Sequence, residues 1–138
     1  MERSPVVVLL VEDNLGDVFL VREALEQLGL DIQFRIAPDG ETAMDILRLP
    51  GAKLPDVIVL DLNLPLKHGR EVLADLDADP ALRHIPVVIL TTSTSEEDAA
   101  LQFTHERRLF FTKTADLRTL MDILTQIHEF ALSQRQAS

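Results

Sequence analysis

Short apolar runs begin near residues 6, 32, 57, 86 and 109, at intervals of about 25 residues. Val6–Val11, Val57–Leu60, Val87–Leu90 and Leu109–Phe111 are apolar or nearly so throughout, whereas Ile32–Ala37 alternates apolar and polar residues. A strand that reads as unbroken apolar residues is buried on both faces, which is the condition of a parallel sheet covered by helices. The interval holds one strand, one helix and two loops, the βα unit. The chain is therefore expected to form an α/β fold, a five-stranded doubly wound parallel sheet with helices on both faces. The strand order 2-1-3-4-5 puts the alternating run, Ile32–Ala37, at an edge.

Helical patterns fill the intervals. Leu15, Val18, Phe19, Leu25 and Leu28 keep helical spacing, with Asn14 as cap and Gly29 as stop. Residues 41–49 form a second helix between Pro38-Asp39-Gly40 and Pro50-Gly51, and residues 69–77 a third. Ser95 followed by Glu96, Glu97 and Asp98 reads as a capped helix start, and residues 115–132 are the longest helix. One domain over 1–138 is expected, with a core at about 6–132 and a frayed tail at 133–138.

Composition excludes several classes. No apolar stretch approaches the ~20 residues that span a bilayer, and MERSPVVVLLV lacks the features of a signal peptide. The absence of cysteine removes disulfides, thiolate metal sites and cysteine nucleophiles. A cytoplasmic location is expected, with no membrane partner. A net charge of −10 argues against nucleic acid, whose phosphates require a basic surface.

In a parallel sheet all C-terminal strand ends share one rim, where ligands bind at the point of strand-order reversal. The first strand is followed by Glu12-Asp13-Asn14, the third by Asp61, the fourth ends in Thr91-Thr92-Ser93, and the fifth in Thr112-Lys113. Glu12 and Asp13 should therefore face Asp61. Three such carboxylates repel one another, and one divalent cation with one ammonium, Lys113, would balance them. Oxygen ligands with open positions suit Mg²⁺. Thr91 can donate to one phosphoryl oxygen and Lys113 can neutralise another, leaving Asp61 as the nucleophile that would form an aspartyl phosphate.

Taken singly, these residues have plainer roles. An Asp at a strand end is commonly a turn or cap, and Glu12-Asp13 can be the acidic start of a helix. Phe110 reads as a core aromatic. His68, His84, His105 and His128 have no ligand spacing, and His105-Glu106-Arg107-Arg108 reads as a solvated turn. It is the convergence on one rim that favours a site.

LLVEDN (9–14), VLDLNLP (59–65), GREVL (69–73), VVILTTS (87–93) and TK (112–113) resemble the response-regulator receiver domain of two-component signalling. GDVFLVREAL (16–25), DGE (39–41) and TTSTSEED (91–98) are most similar to single-domain regulators associated with bacterial phytochromes and related sensor kinases. The resemblance runs from about residue 6 to about residue 130 and implies a flavodoxin-like receiver fold. It implies Asp61 as phosphoacceptor, Asp13 and Glu12 as Mg²⁺ ligands (Glu12 largely through water), and the Asn63 backbone carbonyl as a further ligand. Thr91 and Lys113 would bind the phosphoryl oxygens, Phe110 would be the aromatic switch, and Asn63 and Ser93 would tune dephosphorylation.

The implied activity is a phosphorylation switch rather than an enzyme acting on a separate substrate. A sensor histidine kinase, such as a bacterial phytochrome, would donate the phosphoryl group. Output would pass to a downstream protein or a histidine phosphotransfer partner, since no second domain is expected after residue 132. The rival readings are a pseudo-receiver, the same fold used as an unphosphorylated binding module, and a Mg²⁺-dependent phosphohydrolase. The latter would need an acid where Asn63 stands.

Two further expectations come from departures and surplus. The family's Lys-Pro bond, typically cis, is Lys113-Thr114 here. A cis bond costs ~2.5–4 kcal/mol without proline, so a trans bond is expected, with the Lys113 ammonium still directed at Asp61. On residues 115–132 the apolar stripe covers about half the helix, more than the ~100° that packing needs. The flank bearing Ile123, Ile127 and Phe130 is therefore expected to serve a two-fold homodimer through the last helix.

Overall fold

The computed structural model describes residues 4–92 and 107–137. Ser93, the helix start at Ser95, and His105-Glu106 lie outside the described residues. Five strands, β1 (Val6–Val11), β2 (Ile32–Ala37), β3 (Val57–Leu60), β4 (Val87–Thr91) and β5 (Arg108–Thr112), form one parallel sheet in the order β2-β1-β3-β4-β5. Four helices are described: α1 (Leu15–Leu28), α2 (Gly40–Arg48), α3 (Gly69–Ala78) and α4 (Leu117–Ala137). The expected fold class and order are those found.

Strand alternation divides the core in two. Leu9, Val11, Ile58, Leu60, Val87 and Ile89 pack with α2 and α3 on one face. Their neighbours Val8, Leu10, Val57, Val59, Val88 and Leu90 pack with α1 and α4 on the other. Successive strand residues point to opposite faces, and here both faces are dry, which is why the strands are apolar at every position. Among the described strands β2 pairs with β1 alone, and most of its residues are half-buried.

Helix ends follow their capping chemistry. Asn14 Oδ1 accepts from Asp17 N–H at 3.0 Å, and Gly29, at φ 63°, closes α1 in the left-handed conformation. Asp39 Oδ1 accepts from Thr42 N–H at 2.7 Å at the start of α2. Asp116 Oδ2 accepts from Thr119 N–H at 3.1 Å, so α4 starts at Leu117 rather than Ala115.

Three expectations are corrected. The segment expected to fray at 133–138 is helical through Ala137, because Arg135 is anchored. Its Nε and Nη2 donate to Asp56 Oδ1 and Oδ2 at 2.9 and 2.7 Å, and Nη1 and Nη2 donate to the carbonyls of Ser4 and Pro5. Arg108, read as part of a solvated turn, is buried in β5, with Nη2 2.6 Å from Asp77 Oδ1. Ile123 and Ile127 are buried and Phe130 is half-buried, all on the core shared with α1. The sheet and α1 together cover Ile123 and Ile127 and leave Phe130 half-buried, so this flank is not the bare surplus expected from the stripe width. Among the described residues no helix is long and apolar enough to cross a membrane.

Candidate functional site

Register assembles the site. Val11 pairs with Leu60, and Leu60 with Ile89, so the residues that follow, Glu12 and Asp61, lie side by side at the rim. The ladder continues one step beyond β3, where Asp61 N–H donates to the Val11 carbonyl at 3.2 Å. On the other side Glu12 N–H donates to the Ala37 carbonyl at 2.9 Å. Both acids are anchored by sheet backbone. A loop residue would not hold its position so narrowly.

Asp61 is 5% exposed, which for a carboxylate demands partners. They are present. Oδ1 accepts from the Thr91 hydroxyl at 2.9 Å and from Asn63 N–H at 3.1 Å, and Oδ2 accepts from Lys113 Nζ at 3.0 Å. Thr91, the last residue of β4, is fully buried. Lys113 follows β5, and its N–H donates to the Thr91 carbonyl at 3.0 Å, which fixes the loop against β4. No described peptide bond is cis, so Lys113-Thr114 is trans and the ammonium still reaches Asp61, as expected.

The ammonium serves three carboxylates. Lys113 Nζ pairs with Glu12 Oε1, with Asp17 Oδ2 at 2.8 Å and with Asp61 Oδ2 at 3.0 Å. Burial alone would push the Lys113 amine down, but the bonds to Asp17, Glu12 and Asp61 outweigh it and hold the amine charged, well above its ordinary range. Glu12 is pushed up, chiefly by burial, with Lys113 and the Asn14 N–H offsetting only part. Glu12 Oε2 accepts that Asn14 N–H at 3.0 Å.

Asp13 is exposed beside this cluster, and one carboxylate oxygen from each of Glu12, Asp13 and Asp61 falls within 4.8 Å of the others. An all-oxygen set that is part buried and part open fits a hard divalent cation that keeps waters. Among the described residues, no buried side-chain nitrogen or oxygen lacks a partner.

The remaining expected positions divide. Asn63 is exposed two residues beyond Asp61, bound to it through its N–H. Phe110 is half-buried, packed on the α2–α3 face of the core and paired in register with Ile89. Ser93 lies outside the described residues. Asp17 was not singled out from the sequence. Its signal is local: an acid three residues after the cap Asn14 lies on the first turn of α1, next to the rim. A small cleft lined by Glu12, Asp17, Asp61, Lys113 and Thr114 opens there over an apolar floor that includes Leu10 and Val59.

Comparison with known proteins points one way. Residues 8–125 match the family model of the response regulator receiver domain. The chain is 41% identical over 132 residues to Response regulator Rcp1 of Synechocystis sp., covering 93% of this chain and 90% of that protein. The Mn²⁺-bound crystal structure of Rcp1 superposes with a TM-score of 0.79 over 91% of this chain and 94% of that one. The phosphorylated cyanobacterial phytochrome response regulator RcpA, 41% identical, gives 0.81 over 94% and 95%. The bacteriophytochrome response regulator AtBRR, 34% identical, gives 0.75 over 93% and 95%.

Proposed function

The chain belongs to the family of response regulator receiver domains, and from that membership we propose that it takes a phosphoryl group from a sensor histidine kinase onto Asp61. The observation that carries this reading is the carboxylate of Asp61. It is nearly buried at a strand end and held between the Thr91 hydroxyl and the Lys113 ammonium, with Glu12 and Asp13 beside it.

The chemistry follows from those contacts. An Asp61 oxygen attacks phosphorus, the phosphorus–nitrogen bond of the kinase phosphohistidine breaks, and the imidazole leaves with its electron pair and takes up a proton. Lys113 and the Thr91 hydroxyl, already within bonding distance of Asp61, donate to phosphoryl oxygens and neutralise the growing charge. Mg²⁺, held by Asp13, Asp61, the Asn63 carbonyl and, through water, Glu12, would supply charge neutralisation and a template for the phosphoryl oxygens. The Mn²⁺ in the Rcp1 structure and the phosphorylated state of RcpA support both elements.

The similarity to RcpA and AtBRR favours a phytochrome-type kinase as donor, acting in the cytoplasm. Leu15 and Phe19, 73% and 67% exposed and one helical turn apart on α1, together with Leu66 at 79%, offer such a kinase apolar contact close to the pocket. Output would then pass by protein–protein contact, with Phe110 and Thr91 responding to the new charge and Asn63 and Ser93 setting the phosphoryl lifetime.

Incubation with acetyl phosphate and Mg²⁺, followed by intact-mass measurement, tests the proposal. Wild type should gain one phosphoryl group and Asp61→Asn none. No gain by wild type would favour the pseudo-receiver, and undiminished labelling of Asp61→Asn would move the acceptor elsewhere.

A further inference from the structure

Asp17 is the third residue of α1, where an acid ordinarily closes the cap by accepting from the N-cap N–H. In this chain that task is already done. The Asn14 N–H is bonded to Glu12 Oε2 at 3.0 Å, and Asn14 Oδ1 takes the Asp17 N–H at 3.0 Å. The Asp17 carboxylate is turned instead to Lys113 Nζ, 2.8 Å away and 96 residues distant in sequence.

An ammonium has three donors, and those of Lys113 meet Glu12, Asp17 and Asp61. The Asp61 oxygen that joins phosphorus loses its charge and releases its donor to the phosphoryl group, so any further donor for that group must be taken from Glu12 or Asp17. The side chain of Glu12 is 4% exposed, whereas that of Asp17 is 42% exposed. A buried carboxylate deserted by its cation is left without water to replace it, while an exposed one is rehydrated at once. Asp17 is the partner most cheaply given up.

We propose that Asp17 is a positioning residue that holds the Lys113 ammonium away from full commitment to Asp61, and so brakes phosphorylation until the ion pair opens. The inference rests on Asp61 as phosphoacceptor. Opening breaks a tie between the β5 loop and the first turn of α1, the helix that also carries exposed Leu15 and Phe19.

The test compares first-order rates of mass gain with acetyl phosphate at fixed Mg²⁺. Asp17→Asn should be labelled faster than wild type by about two- to five-fold, the range set by the strength of partly exposed ion pairs. Asp17→Ser, which also lacks the charge, should behave alike and stands in if Asp17→Asn melts early. Asp17→Glu restores the carboxylate and should return the rate toward wild type. Glu71→Gln removes one charge from the first turn of α3 without touching the carboxylates that bond Lys113, and it should leave the rate unchanged. Equal or slower labelling of both uncharged Asp17 variants, with wild type labelled normally, overturns the role of Asp17 alone. Equal acceleration by Glu71→Gln would reduce the effect to net charge and overturn it too. A wild type that is never labelled removes the phosphoacceptor reading, and this inference with it.

Discussion

Gly69 lies against the backbone of Asp61 so closely that a Cβ at Gly69 would stand 2.6 Å from the Asp61 carbonyl oxygen and 2.6 Å from Leu62 Cα. The contact is sealed by Gly69 N–H donating to the Leu62 carbonyl at 2.9 Å. Both obstacles are backbone, which cannot rotate aside as a side-chain tip would. Gly69→Ala should therefore displace the start of α3 or the turn after β3, at a cost of about 2–3 kcal/mol. Denaturant unfolding followed by circular dichroism measures this, since the chain has no Trp or Tyr. A midpoint equal to wild type would mean that the turn yields freely.

Divalent metal should change stability as well as reactivity. Glu12, Asp13 and Asp61 repel one another, so neutralising exposed Asp13 should leave the metal-free protein as stable as wild type or more so. With Mg²⁺ at a hundred times its dissociation constant, wild type should gain about 2.7 kcal/mol by mass action, and Asp13→Asn much less. Thermal unfolding of both proteins in chelator and in excess Mg²⁺ gives the comparison. Parallel gains would place the metal elsewhere.

The tail clamp should titrate. Burial alone would raise Asp56, but the bonds from Arg135 and the Val7 N–H prevail and hold its carboxyl below the usual carboxylate range. A carboxylate depressed in the folded state adds stability above its unfolded value, about pH 4, and loses that contribution as pH falls through its folded value. Arg135→Ala should cost about 1–2 kcal/mol near neutral pH, with the difference from wild type shrinking below about pH 4. A difference that stays constant from pH 7 to pH 2.5 would show that the arginine acts by packing.

Leu66 stands at φ 66°, a left-handed conformation in which a side chain meets its own backbone, and it is 79% exposed. With most of the side chain in solvent, little burial offsets that strain. Leu66→Gly should stabilise the protein by about 0.5–1 kcal/mol and leave labelling by acetyl phosphate intact. Slower transfer from the cognate kinase to the same variant would show why the leucine is kept. A loss of stability would instead mean that Leu66 packs more than its exposure suggests.

Much of this molecule could be read along the chain. Unbroken apolar runs at βα spacing carried the sheet, its order and both faces, because a strand buried on two sides has no polar position to offer. The same spacing placed Glu12, Asp61, Thr91 and Lys113 on one rim, and the structure brings them into contact. What failed did so where a neighbour distant in sequence decided the outcome. The tail at 133–138 looked like any polar end until Arg135 met Asp56, 79 residues away. Arg108 looked solvated until Asp77 came alongside, and the wide stripe of α4 looked half-bare until α1 covered it. Asp17 passed for an ordinary helix-start acid until Glu12 took over its capping role and Lys113 arrived from the far end of the chain. Periodicity fixes which residues are buried within an element, since it follows from the geometry of one strand or one helix. The partner of a charged side chain is set only when distant elements pack, and there the three-dimensional structure alone decides.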